Sequence, residues 1–376
     1  MALEFTNNSK SLTLGVEMEI QLLDLEKLEL TPRAEEIMTL VNNKKLVKEM
    51  FRSTLEIVTG ICNDVHEVGQ ELNEVLTEVR KAGQRTGIRF SGTGTNPVAD
   101  YNERILSKSE RYNQLLERNQ WLIKRMAVYG LHVHIGMKNG DDCMRFNNFF
   151  LHFVPHLISL SASSPYWNCQ DTGLAASRPT VYESHPTSGI PYSAHTWSDF
   201  NILYDKLIAT GSIESMKDIW WDLRPSPVYG TLELRICDGP ATMLELQSIV
   251  AFIHLLAHWF NDNRDHFYKH NKIFPEQWIM RENKWRAIRY GIDAEIISHE
   301  SMQVKKLSDN IRFWVDRLRP YTDQFGYHTY MECIINILEK GNSSMRQRKV
   351  MKYFNDMKRV VENNVVEFEE GRPRWK

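Results

Sequence analysis

Cysteine is scarce in this 376-residue chain: Cys62, Cys143, Cys169, Cys237 and Cys333 are odd in number and widely separated. No CxxC pair exists, so neither a thiolate zinc site nor a disulfide framework is suggested, and a reducing compartment fits best. An excess of one charge is lacking too. Lys and Arg number 46 against 48 Asp and Glu, a net charge of -2, which removes any general electrostatic case for nucleic acid or a membrane surface as partner. No apolar run approaches the ~18 uncharged residues of a membrane span; the most apolar stretch, around Ile249 to Phe260, is interrupted by His254 and His258. The N-terminal segment has no basic stretch followed by an apolar run, so the expected location is cytoplasmic.

Several familiar catalytic signatures are missing as well. GTGTNP lacks the Lys and helix start of a phosphate loop, and there is no GxSxG elbow or HExxH zinc helix. Neither a repeat nor a compositionally distinct linker divides the chain. Hydrophobic residues at 42% and charged residues at 25% describe a globular protein. The expectation is one domain over residues 1–376, with a mobile tail near 365–376.

What is present is alternation. Leu12, Leu14, Val16, Met18 and Ile20 read as the apolar underside of a strand, leaving Thr13, Gly15, Glu17 and Glu19 on the other face. In FRSTLEIVTG, Leu55 and Ile57 oppose Arg52, Thr54 and Glu56. In YGLHVHIG, His132, His134 and Gly136 share a face, and in GTLELRIC so do Thr231, Glu233, Arg235 and Cys237. IRFS is a further short strand. Helical periodicity starts at Asp64, where Asp64 and Glu67 have the spacing of an N-cap and its reciprocal partner, and Gly83 and Gly87 mark the end. Further helices are expected over about 102–127, 142–160, 199–217, 244–261, 275–287, 292–307 and 308–318, and on to about 363. Residues 161–197 read as a long ordered loop. The fold class is therefore α+β: a largely antiparallel sheet with helices on one side and one polar face open to solvent or ligand.

That polar face has chemistry. Glu17 and Glu19 lie about 7 Å apart along one strand, a spacing that suits adjacent hard cations. An isolated ExE or HxH is usually ordinary surface decoration. Four strands that are apolar beneath and carry acid, imidazole or arginine above are less easily dismissed. Glu17, Glu19, Glu56, His134 and Glu233 form an oxygen-rich set with one imidazole, better matched to Mg²⁺ or Mn²⁺ than to a thiolate-selected metal. Arg235, two residues beyond Glu233, serves either a transferring phosphoryl group or a salt bridge that holds Glu233; the two roles are not separable at this point.

The segments LGVEMEI, GLHVHIG, SSPYWNCQDTGLAASR, GTLELRICD, ENKWRAIRYG and GNSSMRQR, in order from Gly15 to Arg348, resemble the type 2 glutamate–cysteine ligase family, in its bacterial carboxylate–amine ligase branch. The resemblance implies a glutamine synthetase/guanido kinase-like fold, with a curved sheet cradling ATP and Mg²⁺ (or Mn²⁺). It implies ATP-dependent joining of a carboxylate to an amine through an acyl phosphate, with L-glutamate and L-cysteine as first candidates, and a homodimer. By this comparison Glu17 and Glu19 are the paired metal carboxylates, Glu56 is the acid of the next strand and Glu233 the late metal ligand. Arg235 is the phosphate-facing arginine, so Glu19, Glu56 and Arg235 become the catalytic set. His134, ahead of His132, is the histidine nearest metal or phosphate. Trp167, Asp171, Thr172 and Arg178 fall in a substrate-side segment, where Arg178 would clamp a carboxylate and Asp171 an amino group. Asn283 and Arg286 would complete an anion pocket, Arg289 either joins it or pairs structurally, and Arg346 either approaches phosphate or sits on a solvated basic helix. Two other functions fit the same residues: a guanido-kinase-like phosphotransferase, and a regulatory protein that binds ATP or an amino acid without turnover.

Overall fold

The computed structural model describes residues 3–7, 10–100, 105–270 and 275–375. A seven-stranded sheet is formed by Leu14–Asp24 (β1), Leu46–Lys48 (β2), Thr54–Val58 (β3), Ile88–Ser91 (β4), Gly130–Gly136 (β5), Leu223–Ser226 (β6) and Thr231–Asp238 (β7). The spatial order is β6-β7-β5-β1-β3-β2, with β4 pairing the far end of β1, and every pairing is antiparallel. The α+β class with an antiparallel sheet and flanking helices is borne out. Alternation decides the layering. Leu14, Val16, Met18, Ile20 and Leu22 are buried in one core with Val68, Leu72 and Val79 of helix Val65–Thr86 and with the apolar side of helix Met243–His270. Each such side chain contributes roughly 1.5–3 kcal/mol of burial free energy. The polar face of the strands is left turned toward a cleft.

Helix Met243–Lys269 has the length and hydropathy to cross a membrane, but 83% of its most apolar window is buried within the protein, which makes it a core helix. Asp64 caps helix Val65–Thr86 by accepting from Glu67 N at 2.9 Å. The reciprocal bond is displaced by one residue, because the Glu67 carboxylate accepts from Asn63 N instead of from the cap's own amide. Gly87, at φ 68°, ends the helix with its N–H on Gly83 O.

Some elements differ from the sequence expectation for visible reasons. The helix expected over 102–127 is Glu110–Asn119; residues 102–104 lie outside the described residues, and 105–107 bond to Met50 and Arg52 as an edge segment. The helix over 142–160 divides into Gly140–Phe150 and Val154–Ser161, since Pro155 lacks the N–H that would continue it. Residues 292–307 form a hairpin, Glu295–Ile297 with Val304–Lys306, not a helix. Its first strand is held by the buried Asn283 amide, which accepts from Ile297 N (2.7 Å) and donates to Ile297 O (2.9 Å). The last stretch is four helices, Arg319–Phe325, His328–Lys340, Ser343–Phe354 and Met357–Glu370, separated by positive φ at Gly326, Gly341 and Asn355. Beyond them Trp375 donates its indole N–H to Gly341 O at 2.9 Å.

Asp64→Ala removes the acceptor for Glu67 N and is expected to lower stability by about 1 kcal/mol; urea unfolding of the two proteins measures it, and an unchanged midpoint would show the cap to be dispensable.

Candidate active site

Register brings the charged residues together. Glu19 lies opposite Glu56 on β3, and Glu17 lies opposite His132 on β5. His134 lies opposite Glu233 on β7, which in turn pairs with Arg224 on β6. Five neighbouring strands, β3, β1, β5, β7 and β6, thus present one continuous row. Between Leu234 and Cys237 the register against β5 shifts by one residue, a bulge that carries Arg235, whose backbone N–H bonds to Asp222 O at 2.8 Å. Above the row opens a cleft of about 550 Å³ lined by Glu17, Glu19, Glu49, Glu56, Arg178 and Arg235 among others.

The two histidines of the HxH motif differ. His132 donates its Nδ1–H to Glu17 Oε2 at 2.8 Å, and its buried Nε2 has no hydrogen-bond partner. Burial and the Arg235 charge hold its pKa down to about 4, so the ring is neutral and Nε2 carries a free lone pair. A carboxylate that accepts from one ring nitrogen fixes the imidazole so that the other nitrogen is free to face a metal. His134 has both nitrogens engaged, Nε2 on Glu17 Oε1 (3.1 Å) and Nδ1 on Thr231 Oγ1 (2.8 Å). Although burial lowers its pKa, Glu233 and Glu17 outweigh that and raise it, which favours the proton over a metal. The preference for His134 as ligand is corrected accordingly: His132 is the better donor. One ligand atom each from Glu17, His132 and Glu233 lie within 4.8 Å of one another, and so do atoms from Glu19, Glu56 and His132. Carboxylates plus one imidazole fit Mg²⁺ or Mn²⁺.

Electrostatics supports the same fit. Burial, followed by the charge of Glu49, pushes Glu19 up to about 7 despite Arg178 and the Gly130 N–H that it accepts at 2.5 Å. Burial and the surrounding carboxylates also raise Glu56 and Glu49. Glu17 goes the other way: burial raises it, but hydrogen bonds from His132 and His134 hold it far below the usual carboxylate range. Glu233 is fully buried, yet Arg224 and Arg235 bring it down to about 2. The cleft therefore contains an ionised pair and a self-repelling trio, the state a divalent cation relieves.

Guanidinium groups face the carboxylates. Arg235 pairs with Glu233 and donates Nη2–H to Tyr182 Oη at 2.8 Å, while Arg224 Nε donates to Glu233 at 2.8 Å. Of the two readings of Arg235, the salt bridge to Glu233 is present, and its Nε–H stays buried without a partner. Arg178 is buried at the cleft, donates Nη1–H to Arg235 O (3.2 Å) and has a similarly unpaired Nε–H. A Cβ at Gly130 would displace the Arg178 guanidinium from its present position.

Residues 13–365 match the sequence profile of glutamate–cysteine ligase family 2. The chain belongs to that family. It is 40% identical to the putative glutamate–cysteine ligase 2 of Bdellovibrio bacteriovorus, over 95% of this chain and 94% of that protein. It is 37% identical to the putative glutamate–cysteine ligase 2-1 of Frankia casuarinae, over 98% of each. The fold is shared with the glutamate–cysteine ligase of Francisella tularensis solved in complex with AMP, at a TM-score of 0.71 and 11% identity, covering 98% of this chain and 91% of that one. The family resemblance read from the motifs is borne out, and with it the class of enzyme: an ATP-dependent carboxylate–amine ligase.

Not every residue suggested by the ligase resemblance reaches the cleft. Trp167, Asp171 and Thr172 line a separate cleft of about 340 Å³ beside Trp121 and Arg125. There Asp171 is held by Arg348 (Nη2 at 2.6 Å), and Thr172 Oγ1 donates to Pro165 O (2.8 Å), so the amino-group role of Asp171 is corrected to a structural ion pair. Asn283 is committed to the Ile297 backbone, Arg286 to Glu282 (2.7 Å), and Arg289 to Gly173 O. Arg346 lies buried between Glu245 and Glu367 with all three guanidinium nitrogens engaged, which corrects both the phosphate role and the solvated helix. Conversely, Glu49, Tyr182 and Arg224 line the cleft without having been singled out. Glu49 follows the three-residue β2 and Arg224 sits on an edge strand containing Pro225, so neither has a periodic run to announce it. Tyr182 comes from helix Arg178–Glu183 inside the long loop.

His132→Ala should weaken Mn²⁺ binding about tenfold more than His134→Ala; equal losses in a Mn²⁺ titration would contradict the assignment. A second expectation concerns pH without metal. Because Glu19 titrates near 7 in the folded chain and near 4.5 when unfolded, the native state holds the extra proton between those values. Its contribution to stability is then greatest below pH 4.5 and falls as pH rises through 7. Urea unfolding of wild type relative to Glu19→Gln should show this slope, and a flat difference would place Glu19 in a solvated environment.

Proposed function

We propose that this ligase joins the side-chain carboxylate of L-glutamate to the amine of L-cysteine, with residues 1–376 acting as one catalytic domain. The substrates follow the names of the relatives. The observation that supports the chemistry is a single cleft holding a carboxylate–His132 cation site beside Arg178 and Arg235, each with a buried unpaired Nε–H.

A carboxylate is a poor acceptor for an amine because its carbonyl carbon is electron-rich and oxide does not leave. The substrate carboxylate oxygen attacks the γ-phosphorus of ATP, the bond to the bridging oxygen breaks, and ADP departs, leaving an acyl phosphate. The amine then attacks the acyl carbon, inorganic phosphate leaves with the electron pair, and the nitrogen loses a proton to give the amide. Glu17, Glu19, Glu56, His132 and Glu233 would hold Mg²⁺ or Mn²⁺, which would supply charge neutralisation for the phosphates. Glu49 adds a further carboxylate to that set. Arg235 and Arg178 bind the anionic oxygens of the group in transfer, with their planar forks already oriented by Glu233, Tyr182 and the β7 backbone. Glu17 orients both histidines and thereby keeps the Nε2 lone pair of His132 aimed away from the protein's own hydrogen bonds. The cytoplasmic location is supported by the unpaired cysteines of the described residues, and the homodimer by the family resemblance.

Purified protein supplied with ATP, Mg²⁺, L-glutamate and L-cysteine should release phosphate in step with γ-glutamylcysteine detected by mass. Phosphate release without a glutamyl amide, or a product from another carboxylate only, would overturn the substrate assignment. Arg235→Lys should lower kcat by about 10²- to 10³-fold while preserving the fold, since a point charge does not replace the fork; normal turnover at saturating ATP would contradict the role.

A further inference from the structure

A second cavity, of about 450 Å³, shares no lining residue with the carboxylate cleft. Its volume falls in the range of small-molecule sites. Aromatic rings form the walls: Phe153 meets Trp314 edge-on with centroids 4.9 Å apart, and Trp259 meets Trp314 at 4.8 Å. Such walls accept a flat ring through offset or edge contacts.

Two polar groups in this cavity have work that the protein does not give them. His156 is 2% exposed, and its Nε2–H donates to Asn310 Oδ1 at 2.7 Å. Burial keeps the imidazole neutral, with its pKa down near 4. Nδ1 is consequently an acceptor, and it has no hydrogen-bond partner. A buried acceptor of this kind is costly to leave unmade. Arg317 is half-buried with its guanidinium 4.9 Å from the Trp259 ring centroid, and its Nε–H is unpaired. Among the described residues no carboxylate lies within ion-pair distance of it. Lys305 and Glu300, the other lining residues that carry a formal charge, are one of each sign, so with its histidines neutral the cavity lining has a formal charge of +1 through Arg317.

We propose that this cavity binds a planar aromatic monoanion that carries a ring N–H, of the indole-carboxylate type. The ring lies against Trp259 and Trp314, the ring N–H donates to His156 Nδ1, and the carboxylate accepts from Arg317. A dianionic phosphate is a poorer match, because the formal charge of the lining is only +1. A purely apolar ring would leave both polar groups unanswered. The site is independent of the ligase reading, since none of its residues belongs to the reaction cleft.

Isothermal titration of the full-length protein with indole-3-acetate tests this. Saturable one-to-one binding is expected. It should weaken at least about tenfold with 1-methylindole-3-acetate, which lacks the donor, with indole, which lacks the anion, and in Arg317→Gln. The ligand changes test the His156 contact without disturbing the fold, and circular dichroism checks that Arg317→Gln is folded. Excess ADP should not displace the ligand. Absence of saturable binding, equal affinity for the methylated compound and for Arg317→Gln, or displacement by ADP would each overturn the proposal.

Discussion

Glu17, Glu19, Glu49 and Glu56 line one cleft, with Glu233 buried beside His132, and their mutual repulsion is the constraint around which the rest of the site is arranged. Taking even one carboxylate out of water costs several kcal/mol unless it is compensated. The protein compensates two of the five internally, Glu17 through the two histidines and Glu233 through Arg224 and Arg235. The remaining three have raised pKa values, because the charges of Arg111, Arg178 and Arg235 offset their burial and mutual repulsion only in part. A site that resolves only part of its own charge is poised to take up positive charge from outside. Such a site is unfavourable for an apo protein and well suited to one that handles triphosphate and metal together.

Delivery of these groups to one place is a property of the sheet, and no single loop achieves it. Antiparallel register makes Glu19 face Glu56 and Glu233 face His134, while a bulge in β7 adjusts where Arg235 points. Beneath, the alternate residues of the same strands are sealed against the long helices. A change of one residue in register would exchange the two faces, burying the acids and exposing Leu14, Val16 and Met18. Stability and chemistry therefore impose the same register on β1.

The strands that carry Glu17, Glu19, Glu56 and Glu233 were readable because period-two alternation with β-branched and aliphatic residues has few other interpretations, and the class of sheet followed from it. Which histidine donates to a metal was not readable: His132 and His134 occupy equivalent positions in the pattern, and only the hydrogen bonds of Glu17 and Thr231 distinguish them. The substrate-side segment misled for a similar reason. Asp171 and Arg346 are the residue types that bind ligands, and in the fold their charge is spent on Arg348 and on Glu245 with Glu367. Residues 292–307 carry apolar residues at spacings that a helix also uses, but the decisive feature is the buried Asn283 amide from another helix, which holds Ile297 as a strand. Tertiary contacts of this kind have no local sequence signature.

The most direct test of the central claim is anomalous scattering from crystals of the protein grown with Mn²⁺ and a non-hydrolysable ATP analogue. Manganese peaks bonded to His132 Nε2 with the carboxylates of Glu17 and Glu233, and to those of Glu19 and Glu56, are the predicted result. Peaks bound elsewhere, or a nucleotide ordered in the cleft with no manganese at these carboxylates, would contradict it.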